Sequence, residues 1–504
     1  MYTLADPVAR AERQMGSRTA IVCGDERASF AELGQRCRRL AGALDSLGLE
    51  RGDRVAILAA NSPAYIEVYM GVPAAGYVVV PLNWRHAEPE LRYALEDSSA
   101  RVLITDRDPG ALAGVVEHVV MLPDAYEALV SSAGERTLGE AVGEDDLAGL
   151  FYTGGTTGSS KGVMLTHRAL LANAFHFNTA LPLDPDDIVL VMAPMFHAAG
   201  SVWIAPAVWL GCRQVPVPVF DPKTVLEAIE RERCSVTLGV PTMLAAIAEE
   251  QIASPRDTSS LRLIVHGGSP IASETLRRLH GAIPHCEIVE IYGATEMGPI
   301  ATALRHEEQL VGGPRGRSCG QAVPGVGLRV IDDDWNELAV GETGEIAVRG
   351  PNLMTGYWNK PEQTAEVLRD DWYRSGDLGY QDDEGFVFLV DRAKDMIVSG
   401  GENVYCTEVE EVLYQHPGVL EAGVFGIPDD KWGEAVHAIV VRRSEAPDLS
   451  AEELIAFCRE RLGGYKIPKG IDFQTQELPK SGPGKILKRA LREPYWKEHE
   501  RQIN

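Results

Sequence analysis

Basic side chains are scarce in this 504-residue chain, where 48 lysines and arginines stand against 73 aspartates and glutamates for a net charge of −25. Binding a nucleic-acid backbone or an anionic membrane depends on concentrated lysine and arginine, so neither partner is expected. Paired cysteines are missing as well. The eight present (Cys23, Cys37, Cys212, Cys234, Cys286, Cys319, Cys406 and Cys458) include no CxxC, which argues against a zinc framework or disulfide scaffold and for reduced thiols in a cytosol. No long apolar run exists either: the longest, Tyr69 to Leu82, is too short and too rich in glycine and proline to span a bilayer. Met1 to Gln14 is polar and charged, unlike a signal peptide. A soluble, cytoplasmic protein of two or three domains is expected.

What the chain does have is Tyr152 to Gly162, YTGGTTGSSKG, which gathers glycines, hydroxyls and one lysine. Without Cβ atoms at Gly154, Gly155 and Gly158, backbone N–H groups can converge on one anion. Thr153, Thr156, Thr157 and Ser159 can donate to it, and Lys161 can neutralise it. Glycine and threonine also crowd ordinary surface turns. The apolar run Leu147 to Tyr152 reads as a buried strand, and Thr166 can cap a helix over Ala169 to Leu181, which predicts strand, phosphate loop and helix in succession. The Walker pattern G-x-x-x-x-G-K-[ST] does not fit, because Lys161 is preceded by Ser160 and followed by Gly162.

Around this stretch the chain alternates. A capping box at Ser29 and Glu32 opens a helix through Leu40 and Leu47, and strand-like and helix-like segments then follow one another as far as Tyr292. That rhythm predicts a largely parallel sheet covered on both faces, with ligands beyond the carboxyl ends of its strands. Several predicted strand ends carry polar or glycine-rich punctuation: MFHAAG (Met195 to Gly200), HGGSP (His266 to Pro270) and YGATE (Tyr292 to Glu296). A histidine at the place of His197 serves equally well as a residue at a helix start. Beyond Pro314 β-branched residues, glycines and turns predict a small antiparallel β subdomain containing YRSGDLG (Tyr373 to Gly379). After Arg392 in DRAKDMIVSGGENVY the pattern becomes a small α+β unit that ends in PKSGPGKILKR (Pro479 to Arg489).

The glycine-rich stretch resembles the signature loop of the adenylate-forming superfamily of acyl-CoA synthetases, luciferases and adenylation domains, close to YTSGTTGxPKG. Gly154 and Ser160 depart from it, standing where serine and proline are usual. The other motifs occur in family order from residue 29 to residue 488, so the resemblance spans nearly the whole chain. It implies an α/β fold: a large N-terminal domain of doubly wound sheets over 1–393, with the β subdomain at about 314–391, then a small mobile α+β domain over 394–504. It implies an ATP-dependent ligase that converts a carboxylic acid through acyl-AMP to a CoA thioester. Lys485 is then the catalytic lysine, Thr295 and Glu296 contact phosphate, Glu296 holds Mg²⁺, and His197 lines the acyl pocket. Thr153, Gly155, Thr156, Thr157, Gly158 and Lys161 hold phosphate, Gly268, Tyr292 and Gly293 the adenine, and Asp377 and Arg392 the ribose. Lys394 is the hinge. Gly400 and Gly401 border a pantetheine tunnel, and Trp432, Tyr465 and Lys469 stand as contacts to CoA, where packing or solubility explains such residues more often.

Small residues at Ala198, Ala199 and Gly200 beside Trp203 and Ile204 predict an apolar pocket for a medium to long fatty acid or an aromatic acid. No acidic side chain among them would receive an ammonium group, so amino acids should be poor substrates. Three alternatives remain open: loading of a carrier protein, a luciferase-like oxygenase, and a non-catalytic acyl or nucleotide binder. Each is separable by assay: CoA-dependent AMP release, light emission, or absence of turnover. A homodimer is left open.

Overall fold

The computed structural model describes residues 2–153, 160–307, 313, 315–392, 394–429, 431–480 and 486–496. Two large sheets form the body of the molecule. One runs, in spatial order, Gly356–Tyr357, Lys161–Thr166, Leu147–Thr153, Val78–Pro81, Arg54–Leu58, Ala100–Thr105 and His118–Met121. The other is centred on Glu287–Tyr292, Leu263–Gly267, Val236–Gly239, Ile188–Val191 and Arg213–Pro216, all parallel. Between the sheets lies the helix Pro63–Ala74, which packs against strands of both and is buried at every residue from Tyr65 to Ala74. Apart from Glu67, which is buried and ion-paired to Arg36, the helix is apolar on every face and is enclosed accordingly.

Local chemistry sets the element ends where the sequence indicates. Ser29 and Glu32 form the reciprocal capping box on Phe30–Ser46, and the Thr166 hydroxyl accepts from the Ala169 N–H at 3.1 Å to start His167–Ala180. One expectation is corrected. The segment after the glycine-rich stretch is a strand: Lys161–Thr166 folds back antiparallel on Leu147–Thr153 before the helix begins. The alternation Val163, Leu165 inward against Met164 outward gives that strand its period of two, which the adjacent helix cap obscured.

A third sheet is antiparallel and holds Gly327–Ile331, Gly344–Arg349, Trp372–Gln381, Leu368–Arg369 and Val387–Arg392. The last sheet, Glu402–Val404, Ile397–Ser399, Gly433–Arg442, Val419–Asp429 and Gly470–Gln474, is covered by Cys406–Tyr414 and Ala451–Arg459. It has its own core, with Val409, Leu413, Val424, Val436, Val440 and Leu454 among its members. Polar contacts between this C-terminal unit and the large one include Ser273 donating to Glu411 at 2.8 Å and Arg443 at 3.5 Å from Glu249.

Candidate active site

Strand register assembles the site. Asp377 and Arg392 are direct cross-strand partners in the small antiparallel sheet, and the Arg392 guanidinium lies 3.2 Å from the Asp377 carboxylate. The Tyr292 hydroxyl, at the carboxyl end of Glu287–Tyr292, donates to the other Asp377 oxygen at 2.9 Å. Asp377 is buried, so Tyr292 and Arg392 offset its desolvation while its remaining lone pairs stay available to a diol.

Immediately after Tyr292 the chain turns through Gly293 into the 3₁₀ turn Thr295–Met297. A Cβ on Gly293 would fall on the Pro299 carbonyl oxygen, so the close approach requires glycine. The turn is fixed from the far side by Asn352, whose amide donates to the carbonyls of Met297 and, at 3.0 Å, Ile300. Thus Glu296 projects from a rigid support. Its Oε1 accepts from the Tyr357 hydroxyl at 3.0 Å. Burial pushes the carboxyl above its ordinary range, against the Tyr357 hydrogen bond and the positive charges of Arg392 and Lys161, which pull it down.

Tyr357 itself arrives on the two-residue strand Gly356–Tyr357, paired with Val163 and Met164 of the hairpin's second strand. The Lys161 ammonium stands 4.6 Å from the Tyr357 ring centre. Lys161 and Thr153 are the hairpin's closing pair, so they flank the glycine-rich residues. Gly155, Thr156, Thr157 and Gly158 themselves lie outside the described residues, as does Lys485. Gly268 follows Leu263–Gly267 at a φ of 82°.

Sequence reasoning missed Tyr357. In GYW it reads as one more core aromatic, and only its pairing with the distant hairpin brings it to Glu296. His197 sits at a helix start, the other place its sequence allowed: its Nδ1 accepts the Ala199 N–H at 3.2 Å as the cap of Ala198–Ser201. An apolar cavity opens beside it, lined by Ala198, Phe151, Leu170 and Val202 and reaching Thr295, Gly298 and Pro299. Trp203 and Ile204 do not line it. Both are turned into the core, Trp203 edge-on to Phe177, because the helix Ile204–Leu210 presents Ala205 and Pro206 to the cavity instead.

Lys394 is exposed in the turn after Arg392, where Asp395 and Met396 N–H groups bond back to the Arg392 carbonyl. Asp391 accepts from the N–H groups of Arg392 and Cys406 at 2.8 and 2.6 Å. Lys488 is paired with Glu410 at 2.9 Å. Burial alone would lower its ammonium pKa, but Glu410, Cys406 and Asp391 hold it well up. Gly400 has a φ of 62° and carries the Trp432 indole so close that a Cβ would lie 2.6 Å from the ring. Gly401 continues that turn at 85°. Trp432 and Tyr465 are each 42 % exposed, while the Lys469 N–H bonds to the Val436 carbonyl at 2.8 Å.

Comparison with known proteins decides the family. The AMP-binding enzyme model matches residues 8–358, and the AMP-binding enzyme C-terminal domain matches 408–485. The chain belongs to the AMP-binding enzyme family. It is an adenylate-forming acid–thiol ligase of the acyl- and aryl-CoA synthetase kind, a group that works with ATP, Mg²⁺ and CoA. It is 41 % identical to a feruloyl-CoA synthase of Amycolatopsis sp, covering 96 % of this chain and 97 % of that one. It is 36 % identical to the fatty acid–[acyl-carrier-protein] ligase ScoC of Streptomyces coeruleorubidus, covering 96 % and 95 %. ATP-bound MatB of Rhodopseudomonas palustris superposes with a TM-score of 0.90 at 32 % identity, covering 98 % and 100 %. The same protein without nucleotide gives 0.77 at 31 % identity over the same shares. Among the described residues no helix is long and apolar enough to cross a membrane, and no cluster of three or more His, Cys, Asp or Glu side chains suits a metal ion.

Proposed function

We propose that this chain activates an aromatic carboxylic acid as its acyl adenylate and transfers the acyl group to CoA. The observation that carries the reading is the cavity between the two large sheets, whose far wall is apolar and whose near end reaches Thr295, next to Glu296. An acid lying there has its carboxylate at the phosphate-binding end and its body out of water. The likeness to a feruloyl-CoA synthase supports an aryl group.

In this reading Asp377 grips the ribose hydroxyls, oriented by Tyr292 and Arg392, while Gly268 and Gly293 border the adenine. Thr153, Lys161 and the glycine-rich residues between them hold the phosphates. Glu296 fits a divalent cation: Tyr357 fills one position on Oε1, and the carboxylate retains acceptor capacity. When bound, Mg²⁺ neutralises phosphate charge as the carboxylate approaches. Lys485 would contribute a further cation in that step, because two anions must meet and a dry, positively lined site offsets their repulsion. His197 shapes the cavity floor through its cap on Ala198–Ser201. The unit over 394–504 then turns about Lys394 and brings Gly400 and Gly401 to the adenylate, with Trp432, Tyr465 and Lys469 toward CoA.

Incubation with a panel of aryl, fatty and amino acids, ATP, Mg²⁺ and CoA, with products read by mass spectrometry, tests the reading. An aryl-CoA thioester with equimolar AMP is expected, and no thioester from any acid overturns it. Likeness to ScoC keeps a second acceptor in view, and replacing CoA by a phosphopantetheinyl carrier protein separates the two.

A further inference from the structure

We infer that the acyl cavity carries a built acceptor and donor for a ring hydroxyl, so that the acid it selects is a hydroxylated aryl acid. The inference rests on the cavity being the acyl site. Most of its wall is aliphatic or aromatic, and besides Ser201 and Thr295 it carries two polar side chains from different long helices. Tyr69 comes from the enclosed helix Pro63–Ala74 and Asn173 from His167–Ala180, one turn after Leu170 on the same face.

Each is oriented by the protein. The Ser201 hydroxyl donates to the His197 carbonyl at 3.3 Å, and the Tyr69 hydroxyl faces Ser201. Tyr69 and Ser201 both line the cavity, and the Tyr69 hydroxyl, which can donate as well as accept, is within reach of a ligand there. Tyr65, one turn earlier, is fully buried and sealed from the cavity, so Tyr69 is the tyrosine of this helix that can meet a ligand. The Asn173 Oδ1 accepts the Ile300 N–H at 3.0 Å, which fixes the amide orientation and turns Nδ2, with its two donors, the other way. Both residues are buried, at 4 % exposure.

A phenolic hydroxyl can meet both at once, pairing with the Tyr69 hydroxyl and accepting from the Asn173 Nδ2, while the ring packs on Phe151 and Leu170. An alkyl chain would leave the cavity-facing capacity of both, the Asn173 Nδ2 above all, desolvated without a partner, and discrimination is strongest where a site's own polar groups are stranded by the wrong ligand.

The test compares 4-hydroxycinnamic, cinnamic and decanoic acids in wild type, Tyr69→Phe and Asn173→Leu, reading acyl-AMP and pyrophosphate. Wild type should prefer the hydroxy acid over cinnamic acid by tenfold or more in kcat/KM. Each variant should lose about tenfold with the hydroxy acid and stay within about twofold with cinnamic acid. ATP affinity should be unchanged. Calorimetric binding of the two aryl acids to wild type gives the same comparison should a variant fail to fold. Equal losses on both acids, equal binding, or decanoic acid as the best substrate overturns the inference while leaving adenylation standing. No acyl-AMP from any acid means that the parent reading has failed.

Discussion

Glu296 is raised above the ordinary carboxyl range by burial, and that has two opposite consequences with pH. The folded chain holds this proton more tightly than the unfolded chain. Its stabilisation is therefore complete below the ordinary carboxyl pKa and is lost as pH rises through the raised value. Glu296→Gln escapes that loss, so at pH 7 it should melt at a higher temperature than wild type, while pyrophosphate release falls by about 10²–10³-fold. In wild type, adenylation should rise with pH through the Glu296 titration, and added Mg²⁺ should move that limb to lower pH. A rate limb indifferent to Mg²⁺ would separate Glu296 from the cation. Asp377→Asn keeps the shape but loses the charge facing Arg392. ATP binding measured by calorimetry should weaken by about 10–100-fold, as expected for ~1.5–3 kcal/mol from a charged hydrogen bond. Residues whose partners are close in sequence were legible: Ser29 with Glu32, Thr166 with Ala169. Tyr357 was not, since its partner is set by strand pairing across the fold. His197 was half legible, because one ring can both cap a helix and border a cavity.

At the scale of elements, periodicity located the run that becomes Leu147–Thr153 and the alternating rhythm of the parallel strands, but not short flanking strands such as Thr19–Cys23, His118–Met121 and Thr302–Leu304. One more omission is instructive. Lys161–Thr166 was hidden because glycines and a helix cap sit at its two ends, leaving six residues to show a period of two. The hairpin places Lys161 opposite Thr153 and close to Tyr357, so the lysine is anchored on a strand and not on a free loop. Lys161→Ala should raise the KM for ATP by about tenfold or more with little change in melting temperature, consistent with ~1.5–3 kcal/mol for one charged contact. Unchanged ATP kinetics would reduce the hairpin to a structural role. The ribose role of Asp377 came from the resemblance alone. Its register opposite Arg392 needed the sheet itself, since a slip of one residue would put the two on opposite faces.

Across the whole molecule, the two half-reactions should separate by mutation. Lys485→Ala should abolish pyrophosphate release yet still convert supplied acyl adenylate and CoA to thioester. Lys394→Pro fixes φ near −65° and stiffens its neighbour, so it should retain pyrophosphate release while thioester formation falls steeply. Equal impairment of both steps by Lys485→Ala, or normal thioester formation in the hinge variant, would contradict a rotating C-terminal unit. The closer superposition on the ATP-bound than on the nucleotide-free relative, 0.90 against 0.77, is the background to this design.

Among the described residues, the contacts between the C-terminal unit and the large one include an ion pair, Arg443 to a Glu249 that also binds Arg278 at 2.7 Å, beside the hydrogen bonds of Ser273 to Glu411 and of Cys406 to Asp391. Such a latch is an electrolyte's to loosen. With a Debye length of ~8 Å at physiological ionic strength and ~3 Å at 1 M, added salt screens the Arg443 to Glu249 attraction and leaves the apolar cores untouched. With the proposed rotation of that unit, thioester formation should respond to ionic strength, and Glu249→Gln should remove that response.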